Sequence, residues 1–129
     1  MESNKIVYTS FTKLAVAIAV AQGASLEKAK KIIIKSFERH PFYKDISKIV
    51  KKIKLKKENL NILSNECISI CEDFGPDRDY ITLVLLLENI YKNEDFQDIE
   101  KDTVSNIINN FKEEINRINA NIPPCLLYT

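Results

Sequence analysis

Two stretches of the chain consist almost entirely of apolar residues, at positions 14–21 and 83–87. The segments around them mix apolar and polar residues with a period of three to four positions, which is typical of α-helices. A helix that is apolar on every side is usually buried on most of its sides. We therefore expect the first and fifth helices, which contain these two stretches, to form the centre of the molecule.

The other segments predict amphipathic helices that wrap this central pair. Residues that cap or end helices separate them, namely Gly23, Ser25, Pro41, Gly75 and Pro76. Six helices are predicted in total: 10–22, 26–39, a short helix capped by Asp45, 58–73, 77–91 and 98–119. The sequence thus predicts an all-α bundle of about six to seven helices, built from two helical hairpins joined by a middle pair.

Composition agrees with this fold class. The 129 residues include only two glycines and four prolines, too few for the many turns of a β-sandwich. Apolar residues make up 45% of the chain and charged residues 29%, so the composition is that of a globular protein rather than a disordered one. We find no linker and expect a single domain over residues 1–129.

Net charge and the search for targeting signals indicate which partners and which cellular compartment to expect. The formal net charge is +1, which predicts no attraction of the whole domain to nucleic acid or to an anionic membrane. No signal peptide is recognisable, and the apolar stretch 14–21 is too short to span a bilayer. A soluble protein in the cytoplasm, with reduced thiols, is the expectation.

Catalytic and cofactor motifs are missing from the sequence. His40 is the single histidine, and no Gly-x-Ser-x-Gly motif or glycine-rich phosphate loop accompanies it. Cys67, Cys71 and Cys125 lack the paired spacing of a zinc site, and the first two are expected to be buried structural thiols. We predict that the protein is not an enzyme and holds no metal or cofactor.

Acidic residues are the main candidates for a binding site. They occur in two groups, Glu72, Asp73, Asp77 and Asp79, and Glu94, Asp95, Asp98, Glu100 and Asp102. If the groups are close in space, they form an acidic face for a basic protein partner. The second group alone offers oxygen ligands for a hard cation, or it is a solvated turn whose charges favour a helix N-terminus.

A lysine-rich segment is the sharpest local asymmetry of charge. Seven lysines lie between Lys44 and Lys57. They could follow phosphate groups, but no arginine or aromatic residue interleaves with them to contact bases. A hydrated face of an amphipathic helix is the simpler expectation, and a nucleic-acid partner is not favoured.

The two-hairpin layout resembles the TerB-like family of small all-helical domains linked to tellurite resistance. In that family an apolar helix leads into an acidic turn and a glutamate-bearing helix, and the unit occurs twice. The matching segments here are 15–27 and 85–100. The resemblance implies a divalent-cation site; the second turn retains Glu94, Asp95, Asp98 and Glu100, whereas the first has Gln22 where the family carries an aspartate.

Two functional hypotheses follow. The first is a non-enzymatic protein-binding protein, most specifically a bacterial immunity protein that occludes the active site of a toxin, because small size, absent catalytic groups and acidic residues are typical of such proteins. The alternative is a TerB-like stress-response domain that binds divalent cations.

Overall fold

The computed structural model describes residues 2–93 and 101–120, with side chains from residue 5 onward. In this part of the chain there are six α-helices and no β-strand, which confirms the predicted all-α bundle. The helices are α1 (Glu2–Ala21), α2 (Leu26–Ser36), α3 (Tyr43–Lys51), α4 (Leu60–Phe74), α5 (Asp79–Tyr91) and α6 (Lys101–Asn119). Within the described ranges, none of these helices has the length and apolar character needed to cross a membrane.

Helix α1 is the centre of the bundle, as its apolar stretch predicts. It packs against α2, α3, α4 and α5. Its fully buried side chains point in all directions around the helix axis and include Phe11, Leu14, Ala15, Val16, Ile18 and Ala19. Because alanine projects only a methyl group, neighbouring helices can approach α1 closely on several sides.

Helix α5 does not share this central position, so the expectation for the fifth helix is wrong. Its buried side chains, Tyr80, Leu83, Val84, Leu87 and Ile90, follow one stripe at three- and four-residue spacing. Leu85, within the apolar stretch, is 55% exposed. A run of leucines therefore carries more apolar residues than the contacts of α5 with α1 and α6 can bury.

Helix α1 also begins at Glu2, eight residues before the predicted start. Val7, Tyr8 and Phe11 are buried at three- and four-residue spacing, whereas Lys5 and Thr9 are exposed. Residues 5–10 therefore form an amphipathic extension of α1. Their polar character indicates an outer face rather than an irregular segment.

The connections follow local capping chemistry, with two corrections to the predicted boundaries. Helix α2 ends at Ser36, three residues before its predicted end. Helix α3 starts at Tyr43, so Asp45 lies in its first turn instead of capping it. The predicted capping of the first turn is confirmed: Gly23 has a φ of 105°, and Ser25 Oγ accepts a hydrogen bond from the Lys28 amide at 3.1 Å.

The predicted hairpins are both present, and they meet at one end of the bundle. Helices α1 and α2 form one, and α5 and α6 form the other, with Lys112 Nζ 3.9 Å from Glu88 Oε1. The buried side chain of Gln22 donates from Nε2 to the carbonyl oxygen of Tyr91 at 3.2 Å. This bond joins the end of α1 to the end of α5. Of the middle helices, α3 packs on α1 and α2, and α4 packs on α1 and α6.

The unequal burial of the two apolar stretches predicts unequal responses to the same substitution. Leu14→Ala, in the centre of α1, should lower the free energy of unfolding by about 2–5 kcal/mol because it leaves a cavity. Leu85→Ala should cost less than about 1 kcal/mol because that side chain already contacts solvent. Urea unfolding monitored by circular dichroism measures both values, and equal losses would contradict the central placement of α1.

Candidate functional site

The turn between α4 and α5 gathers four of the predicted site residues. Glu72 and Asp73 lie at the end of α4, and Asp77 and Asp79 follow the turn at the start of α5. Between them, Phe74 is 46% exposed. We call these five residues the acidic corner.

Hydrogen bonds from α6 hold the acidic corner in place. The nearly buried Asn119 donates from Nδ2 to the carbonyl oxygen of Asp77 at 2.9 Å, and its Oδ1 accepts from the Asp77 amide at 3.0 Å. Asp77 Oδ1 in turn accepts from the Asp79 amide at 2.9 Å. Gly75 provides the left-handed backbone that the turn needs, with a φ of 78°. The corner is therefore a fixed structural element.

Negative charge at the acidic corner is only partly compensated. Glu72 and Asp73 lie in the last turn of α4, where the helix dipole disfavours anions. Arg117 pairs with Glu114 at 2.8 Å and with Glu72 at 3.3 Å, and these two carboxylates raise the pKa of its guanidinium. Asp73 is exposed and makes no ion pair within residues 2–93 and 101–120.

The field of the acidic corner reaches α1. Burial, followed by the charges of Asp79 and Asp77, raises the pKa of the Tyr8 hydroxyl. Tyr8 therefore stays protonated at any physiological pH. Its position shows that the corner lies at the same end of the bundle as the beginning of α1.

The remaining predicted site residues do not join this corner. Asp102 lies in the first turn of α6, seventeen residues before Asn119, which corresponds to about 25 Å along a helix that rises 1.5 Å per residue. Because Asn119 contacts Asp77, Asp102 is at the opposite end of the bundle from the corner. Glu94, Asp95, Asp98 and Glu100 lie outside the described residues. The structure thus brings four of the nine residues together and separates Asp102 from them.

Cys67 and Cys71 are buried structural thiols, as predicted. Both are free, fully buried and one helical turn apart on α4. The hydrogen bond between them, together with burial, raises the pKa of Cys67, and the same bond lowers the pKa of Cys71. Cys125 lies outside the described residues. In the part of the chain that is described, no three histidine, cysteine or acidic side chains are grouped so that they could hold a metal ion.

His40 stabilises the turn between α2 and α3. Its Nδ1 accepts a hydrogen bond from the Phe42 amide at 3.1 Å, and its Nε2 lies 2.8 Å from the Tyr8 hydroxyl oxygen. In the neutral ring the proton is therefore on Nε2 and is donated to Tyr8. This leaves the hydroxyl hydrogen of Tyr8 available for another acceptor. The rings of Tyr8, Phe37 and Phe42 surround the imidazole.

A groove lies between α1 and α3 on the described part of the chain. Its volume is about 760 Å³. Apolar and aromatic side chains contribute to its lining: Tyr8, Phe42, Ile46, Ile49 and Ile53. Five lysines also line it: Lys5, Lys13, Lys48, Lys52 and Lys54. We call this feature the basic groove.

The sequence indicated only half of the basic groove. Lys48, Lys52 and Lys54 belong to the lysine-rich segment, which was expected to be a hydrated face. Lys5 comes from the N-terminal extension of α1, which was predicted to lie outside a helix, whereas Lys13 lies in the part of α1 that was predicted as helix. The sequence does contain a pattern that predicts this wall of the groove. Lys5, Thr9 and Lys13 are spaced four residues apart and therefore share one helical face.

Comparisons with known proteins give no relative for this fold and these two surfaces. No family model matches the chain, and no curated protein or solved structure matches it either.

Proposed function

We propose that the protein is a non-enzymatic binding domain whose acidic corner docks on a basic protein. In its most specific form, the protein is a bacterial immunity protein that neutralises a toxin by stoichiometric binding and occlusion of the active site. The observation that carries this proposal is the exposed ring of Phe74 among four carboxylates, on a turn that Asn119 fixes.

An exposed aromatic side chain on a rigid turn has the properties of an interface anchor. Phe74 offers a large apolar area, and few torsions must be frozen when it inserts into a partner. Since the backbone of the turn is already held by hydrogen bonds, binding does not have to order it. Interfaces commonly place such an anchor inside a polar rim, which the carboxylates would supply.

The carboxylates support a basic partner. Asp73 is exposed at a helix end where negative charge is unfavourable for α4, and no ion pair compensates it within the described residues. Charge kept in an unfavourable place is better explained by an interaction with another molecule than by folding. Acidic groups around an anchor steer a basic protein into position and disfavour acidic competitors.

The chemistry of the reactive side chains supports a role without catalysis. The histidine is occupied by Tyr8 and the Phe42 amide, and Cys67 and Cys71 are out of contact with solvent. A nucleophile and its base must both reach a substrate, whereas the two thiols are buried and the partly exposed His40 already uses both ring nitrogens.

The immunity proposal predicts protection that depends on Phe74. Co-expression with a toxin encoded beside the gene should restore growth, and the purified pair should bind with one-to-one stoichiometry. Phe74→Ala should weaken the calorimetric Kd at least about tenfold, because an anchor residue typically contributes more than about 1.4 kcal/mol. Asp73→Asn should mainly lower the association rate and flatten its dependence on salt.

Leu85→Ala is the matched control for Phe74→Ala, since Leu85 is a similarly exposed apolar residue on α5. It should leave Kd unchanged. If the wild-type protein fails to protect against every neighbouring toxin, or if the Phe74 and Leu85 variants bind alike, the proposal is wrong.

A second candidate function, cation binding of the TerB-like type, has one supporting observation. Gln22 is 2% exposed, and its Oε1 accepts no hydrogen bond within the described residues. A buried amide oxygen without a partner is costly, and it is also a ligand that hard cations accept. Gln22 contacts the end of α5 at Tyr91, and Glu94 and Asp95 follow Tyr91 by three and four residues in sequence.

This candidate predicts stabilisation by Ca²⁺ or Mg²⁺. Millimolar cation should raise Tm, because a ligand selective for the folded state stabilises it. Glu94→Gln combined with Asp95→Asn should abolish that rise in differential scanning fluorimetry. The control pair, Glu38→Gln with Asp73→Asn, changes two exposed carboxylates elsewhere and should retain it. No response of the wild-type Tm to either cation would remove this candidate.

A further inference from the structure

The basic groove combines two properties that one class of ligand satisfies together. Apolar side chains of α3, including Ile46 and Ile49, lie beside Tyr8 of α1 in its lining. Lysines line both walls: Lys5 and Lys13 belong to α1, Lys48 belongs to α3, and Lys52 is the C-cap of α3. An apolar surface between rows of cations fits a molecule with an aliphatic body and an anionic group.

The positive charge of the basic groove is in excess. Of its lining residues, only Asp45 is acidic, against five lysines. Outside the lining, Glu58 lies 3.5 Å from Lys13 Nζ and offsets that one lysine. Lys48 on α3 and Lys52 at its C-cap are four residues apart in sequence, and both are exposed. Like charges at this spacing repel each other, and an anion placed between them would relieve that repulsion.

The size and the aromatic contacts of the groove argue against a polymeric anion. A volume of about 760 Å³ falls within the usual range for small-ligand sites, about 300–1,000 Å³. Nucleic-acid sites of comparable charge use exposed aromatic faces or arginines to hold bases. Here Tyr8 is 4% exposed and packs edge-on against Phe37, with ring centroids 5.9 Å apart. Phe42 is only partly exposed and packs against the ring of His40, with centroids 5.5 Å apart, and no arginine lines the groove.

We propose that the basic groove binds one molecule of a single-chain anionic amphiphile, an aliphatic chain that ends in a phosphate, sulfate or carboxylate. The chain lies on the apolar lining, along the aliphatic parts of the lysine side chains. The lysine ammonium groups hold the anionic end, with Lys48 and Lys52 the pair best placed to do so. This site is separate from the acidic corner, and the proposal does not depend on the function proposed for that corner.

Dodecyl phosphate, used below its micelle-forming concentration, is the probe. Isothermal titration calorimetry should give one site per chain, with amide chemical-shift changes confined to α1 and α3. Affinity should rise roughly five- to fifteenfold for each two methylenes along octyl, decyl and dodecyl phosphate. Lys48→Gln combined with Lys52→Gln should weaken binding about tenfold or more, since charge-assisted hydrogen bonds are lost.

Lys31→Gln combined with Lys35→Gln is the matched control, because it removes two exposed lysines with the same spacing from α2. It should bind dodecyl phosphate like the wild type. All four substitutions are at the surface, and circular dichroism confirms that each variant is folded.

Several outcomes would overturn the proposal. If the protein binds dodecyl maltoside as tightly as dodecyl phosphate, the anionic end is not recognised. If it binds inorganic phosphate or a short DNA duplex as tightly as dodecyl phosphate, the aliphatic chain is not recognised. Binding to vesicles of anionic phospholipid without binding to the monomeric probe would indicate a membrane surface instead. One probe per two chains, with a dimer in sedimentation velocity, would indicate that a second copy completes the site. Absence of binding, or equal affinities of the two double variants, would refute the groove itself.

Discussion

Burial of residues 14–19 of α1 on every side is the constraint on which the rest of the structure depends. Four helices pack around this apolar part of α1. The small side chains of Ala15 and Ala19 allow the backbones of these helices to come close to α1. This requirement determines where the two hairpins lie and why α4 packs against both α1 and α6. The same packing positions both candidate surfaces. The basic groove is formed in part by the outer face at the beginning of α1. The acidic corner lies at the end of α4, which packs along α1.

The two surfaces carry opposite charge although the chain is almost neutral. A formal net charge of +1 produces little long-range attraction of either sign, so an approaching partner would respond only to the local field within about one Debye length. Tyr8 lies at the boundary, because it lines the basic groove while the charges of Asp79 and Asp77 act on its hydroxyl. Such segregation favours two different ligands, one basic and macromolecular, the other anionic and small.

Much of the fold could be predicted from hydrophobic periodicity, because burial and helix period are properties of local sequence. The amphipathic character of α6 and the cap at Ser25 were predicted correctly for this reason. The central role assigned to α5 was wrong, since the pattern of Leu83 to Leu87 does not reveal how many neighbours a helix will have. The candidate sites were harder still. Asp102 was grouped with the corner residues by composition, whereas only the packing of α6 shows that a helix length separates them, and the basic groove required the tertiary pairing of Lys5 with Lys48.

Amide hydrogen exchange, followed residue by residue, tests most directly whether the bundle is organised around α1. Opening a central helix exposes the core on all sides, whereas α3 packs mainly against α1 and α2 among the described helices and can open locally at lower free energy. We expect amides 11–21 to exchange slowest, at the free energy of global unfolding, and those of α3 to exchange faster. Exchange of the α1 amides as fast as those of α3 would contradict the central placement of α1 and, with it, the arrangement of both surfaces.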